Sequence, residues 1–201
     1  MTEVLYAVEG GTDVAVAEKL IVHVGRRPRQ VSAAGGSGAI DAKLKRWCQP
    51  SNHAPMLILR DWDLVDGVPC PPALLDKVAP HATRPVNVSI RIVVRSMESW
   101  LMADTWAARK FFRTSQLPTD PELITTPKLS LVEACRSSSL RRVRVGMVPR
   151  PGSGGATSPD FALLVGEYAR EYWDPVRAQE NAPSLRRAIA RMNELVARGL
   201  W

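Results

Sequence analysis

The sequence predicts an α/β fold, a mostly parallel sheet flanked by helices with a helical extension at its C-terminal side. Three observations predict it. Short apolar runs alternate with helix-patterned segments up to residue 112, the strand-like runs are followed by turn and helix-start signals, and two amphipathic segments close the chain after a proline- and glycine-rich stretch.

The first strand is EVLYAV (3–8), ended by Glu9-Gly10-Gly11, after which Thr12 reads as the N-cap of a helix from Asp13 to Val24. RQVSAA (29–34) reads as a second strand, and Ser37 as the cap of a helix through Cys48 that stops near Pro50. A continuous apolar run makes PMLILRD the third strand, and PPALLDKVA, led by proline, a short helix. NVSIRIVVR (87–95) is the fourth strand, followed by SMESWLMAD with Met97, Trp100 and Leu101 at helical spacing. TSQLPTDPELITTPKLS reads as a connector, and the segment after it ends in a Gly, Ser and Pro loop. Ser158-Pro159-Asp160 then starts a helix through FALLVGEYAREYW, and residues 181–184 start another through LRRAIARMNELVAR. The expected organisation is an α/β domain over residues 1–112 and a connector, basic loop and C-terminal helices over residues 113–201.

Of 201 residues, 45% are hydrophobic and 23% charged, which is ordinary for a globular chain. No apolar run reaches the roughly 18 residues that span a bilayer, and the first residues lack a signal-peptide pattern, so a cytoplasmic protein with no membrane partner is expected. Cys48, Cys70 and Cys135 are too scattered for a zinc site or a disulfide framework. The net charge of +7 favours a polyanionic partner, and residues from Arg136 onward, with 11 basic and 6 acidic side chains, supply most of it. Leu140-Arg141-Arg142-Val143-Arg144 with Arg150, and the group Arg26, Arg27 and Arg29, are candidate contacts for nucleic-acid phosphates. Gly35-Gly36-Ser37-Gly38 is a weaker phosphate-cradle candidate. His23, His53 and His81 lack ligand spacing, Trp47, Trp100, Trp106, Trp173 and Trp201 are expected in the core, and Tyr6 is an ordinary strand residue.

The acids carry the chemistry. In an open parallel sheet, ligands gather at the carboxyl ends of the strands. Glu9 and Asp13 follow the first strand, Asp61 and Asp63 the third, and Glu98 the fourth. Two carboxylates about 4 Å apart at an effective dielectric near 20 repel by roughly 4 kcal/mol, so a convergent set requires a cation, and Mg²⁺ or Mn²⁺ suits oxygen donors.

The order Glu9-Gly10-x-Thr12-Asp13, then Asp61-x-Asp63 after an apolar strand, resembles the Toprim domain, a Rossmann-like fold shared by topoisomerases, primases, the 5S ribosomal RNA maturase and OLD-type nucleases. RSMESWLMAD, Thr126-Pro127-Lys128, ASPDFALLVGEYAREYW and APSLRRAI are similar to segments of the small bacterial Toprim-like family DUF4276. The resemblance implies Glu9 as general acid/base or metal ligand, Asp61 and Asp63 as Mg²⁺ ligands, and Asp13, Glu98 and Lys128, with Ser96, as further members of a two-metal nuclease site. It implies Mg²⁺-dependent hydrolysis of nucleic acid, DNA ahead of RNA, in bacterial anti-phage defence. The chain is too short for the tyrosine-bearing domains of a topoisomerase or the zinc and helicase-binding parts of a primase. It also has no G-x-x-x-x-G-K-[ST], so any ATPase would be a separate partner. The alternative is a regulatory subunit that binds nucleic acid or protein without cutting.

Overall fold

The computed structural model describes the chain except Ala34, residues 50–53 and residues 63–66. Asp63 and His53 therefore lie outside the described residues. Two compact units emerge: residues 1–94 with 184–201, and residues 95–183. These divide the chain elsewhere than the sequence expectation of 1–112 and 113–201, because the segment after the fourth strand groups with the later helices and the last helix groups with the sheet.

The first unit is the α/β domain. Its strands β1 (Glu3–Val8), β2 (Arg27–Ala33), β3 (Met56–Asp61) and β4 (Val88–Val93) form one sheet in the order β2-β1-β3-β4, with every pairing parallel. Parallel pairing needs crossovers, and α1 (Gly11–His23), α2 (Ser37–Trp47) and α3 (Pro71–Val78) provide helices for them. Alternation along the strands sorts the faces. Ala7, Met56, Ile58, Val88 and Ile90 pack with Ile40 and Leu44 of α2 and with Ala79 beyond α3, with Leu5, Trp47 and Leu75 at the margin. Tyr6 turns the other way and donates its hydroxyl to Glu18 of α1 at 2.8 Å. Burial and that carboxylate push the phenol far above its ordinary pKa, so Tyr6 stays protonated and structural. The helix α10 (Pro183–Ala197) belongs to this unit from Ser184 on, and the buried Trp201 donates its indole N–H to the Asn87 carbonyl at 2.8 Å.

Start signals shifted in two helices. Gly10, not Thr12, caps α1: Asp13 reaches back so that its Oδ2 accepts from the Gly10 N–H at 2.9 Å, while the Thr12 hydroxyl donates to Asp13 Oδ1 at 3.0 Å. The cap of α2 is Gly36, whose φ of 88° suits glycine, and Ser37 opens the first turn.

The second unit is helical: α4 (Met97–Ala103), α5 (Thr105–Phe112), α6 (Pro127–Arg136), α7 (Arg141–Met147), α8 (Phe161–Glu171) and α9 (Pro175–Asn181). All seven residues of α4 are buried, and α6 and α9 pack against it. Phe111, Phe112 and Tyr168 interlock with ring centroids 4.9 to 5.4 Å apart, favourable tilted and edge-on geometries. Tyr168 donates to the Leu101 carbonyl at 3.0 Å, and Trp173 to that of Trp100 at 2.9 Å. Trp106 departs from the core expectation. It is 60% exposed and flanked by Lys110 and Arg177, each 5.0 Å from the ring centroid.

All three cysteines are free. Cys48 and Cys135 are buried; burial raises the pKa of both thiols, that of Cys135 to about 12. Because a raised pKa keeps a thiol protonated at every pH below it, one equivalent of thiol, Cys70, reacts with Ellman's reagent at pH 8 in the native protein and three react after denaturation. Fast native reaction of a second thiol contradicts this packing.

Candidate functional site at the carboxyl end of the sheet

The register of the sheet brings the Glu9 carboxylate to the backbone of a second expected acid, Asp61. β1 pairs with β3 from Leu5 with Met56 to Ala7 with Ile58, so the chain leaves the sheet at neighbouring points, at Glu9 and at Asp61. There the Asp61 N–H donates to Glu9 Oε1 at 2.8 Å. Beyond Asp61, the Trp62 N–H bonds the Val93 carbonyl of β4 at 3.0 Å, which holds this exit in line with the sheet.

Arg60 is the residue that sequence reasoning passed over. Its side chain is 2% exposed; Nε lies 3.7 Å from Glu9 Oε1, and Nη2 lies 3.2 Å from Asp41 Oδ2 on α2. Its Nη1 also donates to the Asp61 carbonyl. Alternation explains the partners: Arg60 follows Met56 and Ile58 toward the α2 side, as Glu9 follows Leu5 and Ala7. The signal was present, since a guanidinium inside an otherwise apolar strand must be paired if it is buried. A positive charge supplied by the chain thus meets part of the electrostatic demand that pointed to a dication.

The site is also framed by two helix starts. α1 begins directly after Glu9, and the Gly36 N–H at the head of α2 donates to the Glu9 carbonyl at 3.0 Å. The glycine-rich turn over 35–38 is therefore next to Glu9. Unsatisfied N–H groups and the helix dipole favour an anion at such ends. Asp13 is 6% exposed and accepts from the Gly10 N–H and the Thr12 hydroxyl, the contacts of a helix cap.

The remaining expected residues are described each within its own unit. In the second unit, Glu98 is 5% exposed, accepts from the Ser96 hydroxyl at 2.7 Å and pairs with Lys128 at 3.4 Å. Lys128 belongs to the first turn of α6 rather than to a connector, and lies 5.9 Å from the Phe161 ring centroid. These three residues form a self-neutralising polar cluster. Arg27 and Arg29 are spent on Glu3, at 2.9 and 3.0 Å, and hold its carboxyl below the usual range. Glu3 is six residues from Glu9 along an extended chain, roughly 20 Å, so this pair marks the amino end of the sheet. Arg26 bonds the Trp201 carbonyl at 2.9 Å. Arg142 pairs with Glu167 at 2.8 Å and Arg144 donates to the Ser138 carbonyl, whereas Arg141 and Arg150 are exposed on the second unit.

Among the described residues, no group of three or more His, Cys, Asp or Glu side chains is placed to hold a metal ion. Glu9 and Asp61 remain as hard oxygen donors on adjacent strand ends. That donor chemistry fits Mg²⁺, which keeps most of its waters and takes one or two carboxylates. No helix among the described residues is long and apolar enough to cross a membrane. Searches against protein-family models, curated proteins and solved structures found no match.

Proposed function

We propose that the carboxyl end of the sheet binds a phosphodiester of nucleic acid and hydrolyses it with the help of Mg²⁺ or Mn²⁺. One observation carries this reading: the 2.8 Å bond from the Asp61 backbone N–H to Glu9 Oε1 sets the Glu9 carboxylate at the strand end that carries Asp61, with the head of α2 bonded to the Glu9 carbonyl. Glu9 and Asp61 would hold the cation, joined by Asp63 as the sequence resemblance implies, and the bound cation would neutralise charge building on the phosphate oxygens. The chain's own part is positioning. The heads of α1 and α2 orient a phosphate through backbone N–H groups, and Arg60 with the Asp61 N–H fixes the Glu9 carboxylate, the group proposed to accept the proton of the attacking water. The Toprim resemblance supports a bacterial, cytoplasmic setting in phage defence, with DNA ahead of RNA and a separate ATPase partner.

A second reading is favoured by Arg60. Because it already offsets Glu9, the same end of the sheet could bind nucleic acid without cutting, as a regulatory subunit. Purified protein with plasmid DNA or RNA separates the two, using Mg²⁺ or Mn²⁺ with and without EDTA, beside Glu9→Ala and Asp61→Ala. Cleavage that needs the dication and falls by roughly a hundredfold or more in both variants supports the enzyme. Substrates left intact by all three proteins, yet still bound, support the regulatory subunit.

A further inference from the structure

Along β4, on the first unit, lies a cavity of about 360 Å³ whose lining includes Ser89, Ile90 and Arg91 of the strand, Leu75 of α3, Arg84, and Arg191 of α10. β4 is an edge strand of the described sheet, so residues from both of its faces reach this open side. Alternation sends Ile90 toward the apolar side shared with α3 and turns Ser89 and Arg91 the other way.

Two polar groups here are buried without a partner among the described residues. Ser89 is 3% exposed and its hydroxyl has no hydrogen-bond partner among the described residues; the Arg91 Nε is likewise buried and, among those residues, unpartnered. No acid among the described residues pairs with Arg91. The nearby acids are committed elsewhere: Asp76 to Arg84, and Glu194 to Arg191 at 2.7 Å and Arg198 at 3.1 Å. Burial, and the like charges of Arg187 and Arg191, lower the Arg91 pKa. A buried hydroxyl and a desolvated cation facing more cations are each unfavourable unless something anionic enters.

We infer that this cavity is a binding site for the phosphate group of a small organic phosphate, with Arg91 and Ser89 as the inner contacts and Arg191 at the rim. Planar guanidinium groups match phosphate oxygens two at a time, and the serine hydroxyl adds a donor. The volume falls within the range of small-ligand sites, and Leu75 and Ile90 offer apolar surface to the body that carries the phosphate, the chemistry of a mononucleotide. The site uses residues 88–91 of β4 and none of the residues at the carboxyl ends of β1 and β3, so it goes beyond the function proposed above.

The test is thermal shift and calorimetric titration of the full chain with inorganic phosphate, adenosine monophosphate, adenosine and a short single-stranded oligonucleotide, at constant ionic strength. Adenosine monophosphate is expected to bind and raise Tm, and adenosine to do neither. A larger effect of the mononucleotide than of the oligonucleotide assigns the site to a free ligand. Arg91→Met is expected to weaken mononucleotide binding at least tenfold while its unliganded Tm equals or exceeds that of the wild type. Ser89→Ala and Arg191→Gln report on the site should Arg91→Met fail to fold, and each is expected to weaken binding severalfold. The inference is overturned if no phosphate form binds, if the oligonucleotide alone binds, or if binding survives these substitutions.

Discussion

Replacing Asp104 by alanine lowers the stability of the second unit by about 3 kcal/mol. The carboxylate is wholly buried and accepts from Arg177 Nε at 2.9 Å, Arg177 Nη2 at 2.8 Å, the Asp174 N–H at 2.9 Å and the Ala107 N–H at 3.2 Å. It therefore caps α5 and ties the end of α4 to the start of α9. That hydrogen bonding also raises the Arg177 pKa. Alanine leaves two backbone N–H groups without their acceptor, each a loss of roughly 1 to 3 kcal/mol when buried, while Arg177, 39% exposed, turns to water and keeps the total at the lower end. In a chain of this size the change corresponds to a Tm lower by roughly 6 to 12 °C, measured by calorimetry beside Asp104→Asn, which keeps an acceptor and loses less. Equal Tm values for alanine variant and wild type contradict the role assigned to Asp104.

Arg60→Met is expected to cost about 2 to 3 kcal/mol, since it leaves the carboxylates of Glu9 and Asp41 without their shared cation in a mostly buried place. The exposure of Asp41, about 30%, softens the loss. Adding Glu9→Gln to Arg60→Met should then cost less than the sum of the single substitutions, by at least 0.5 kcal/mol, because the second change removes a charge that the first left uncompensated. Urea denaturation of the four proteins measures this. Strict additivity contradicts the Glu9–Arg60 coupling. Millimolar Mg²⁺ is expected to restore more stability to Arg60→Met than to the wild type, as the dication takes over part of the guanidinium's task.

Local signals made the sheet legible. MLILR and VSIRIV are apolar runs of strand length, and the acids at their ends stand out because a charge directly after a buried strand is visible in sequence. The parallel prediction put Glu9 and Asp61 at the same end of the sheet, whereas the register that joins the Asp61 N–H to Glu9 carries no local signal. The helical unit was harder to read. Pro121 and Pro127, in what looked like connector, each begin a helical turn, as do Pro71, Pro175 and Pro183: a proline lacks the N–H that a first turn leaves unbonded anyway, so the same residue reads as breaker or starter. Arg177 is 73 residues from Asp104, and no local pattern announces a pair formed at that distance. Arg60 was hidden differently. Attention to the acids drew in an external cation, although the strand itself carried one.

In the proposed function, Glu9 and Asp61 act together on a hard dication at the carboxyl end of the sheet. Binding of Mn²⁺, followed by electron paramagnetic resonance on wild type, Glu9→Gln and Asp61→Asn after each is shown to be folded by circular dichroism, tests it without relying on any substrate. The account predicts a site in the wild type that Mg²⁺ displaces and that weakens at least tenfold in both variants. Equally weak Mn²⁺ binding by all three proteins would contradict it.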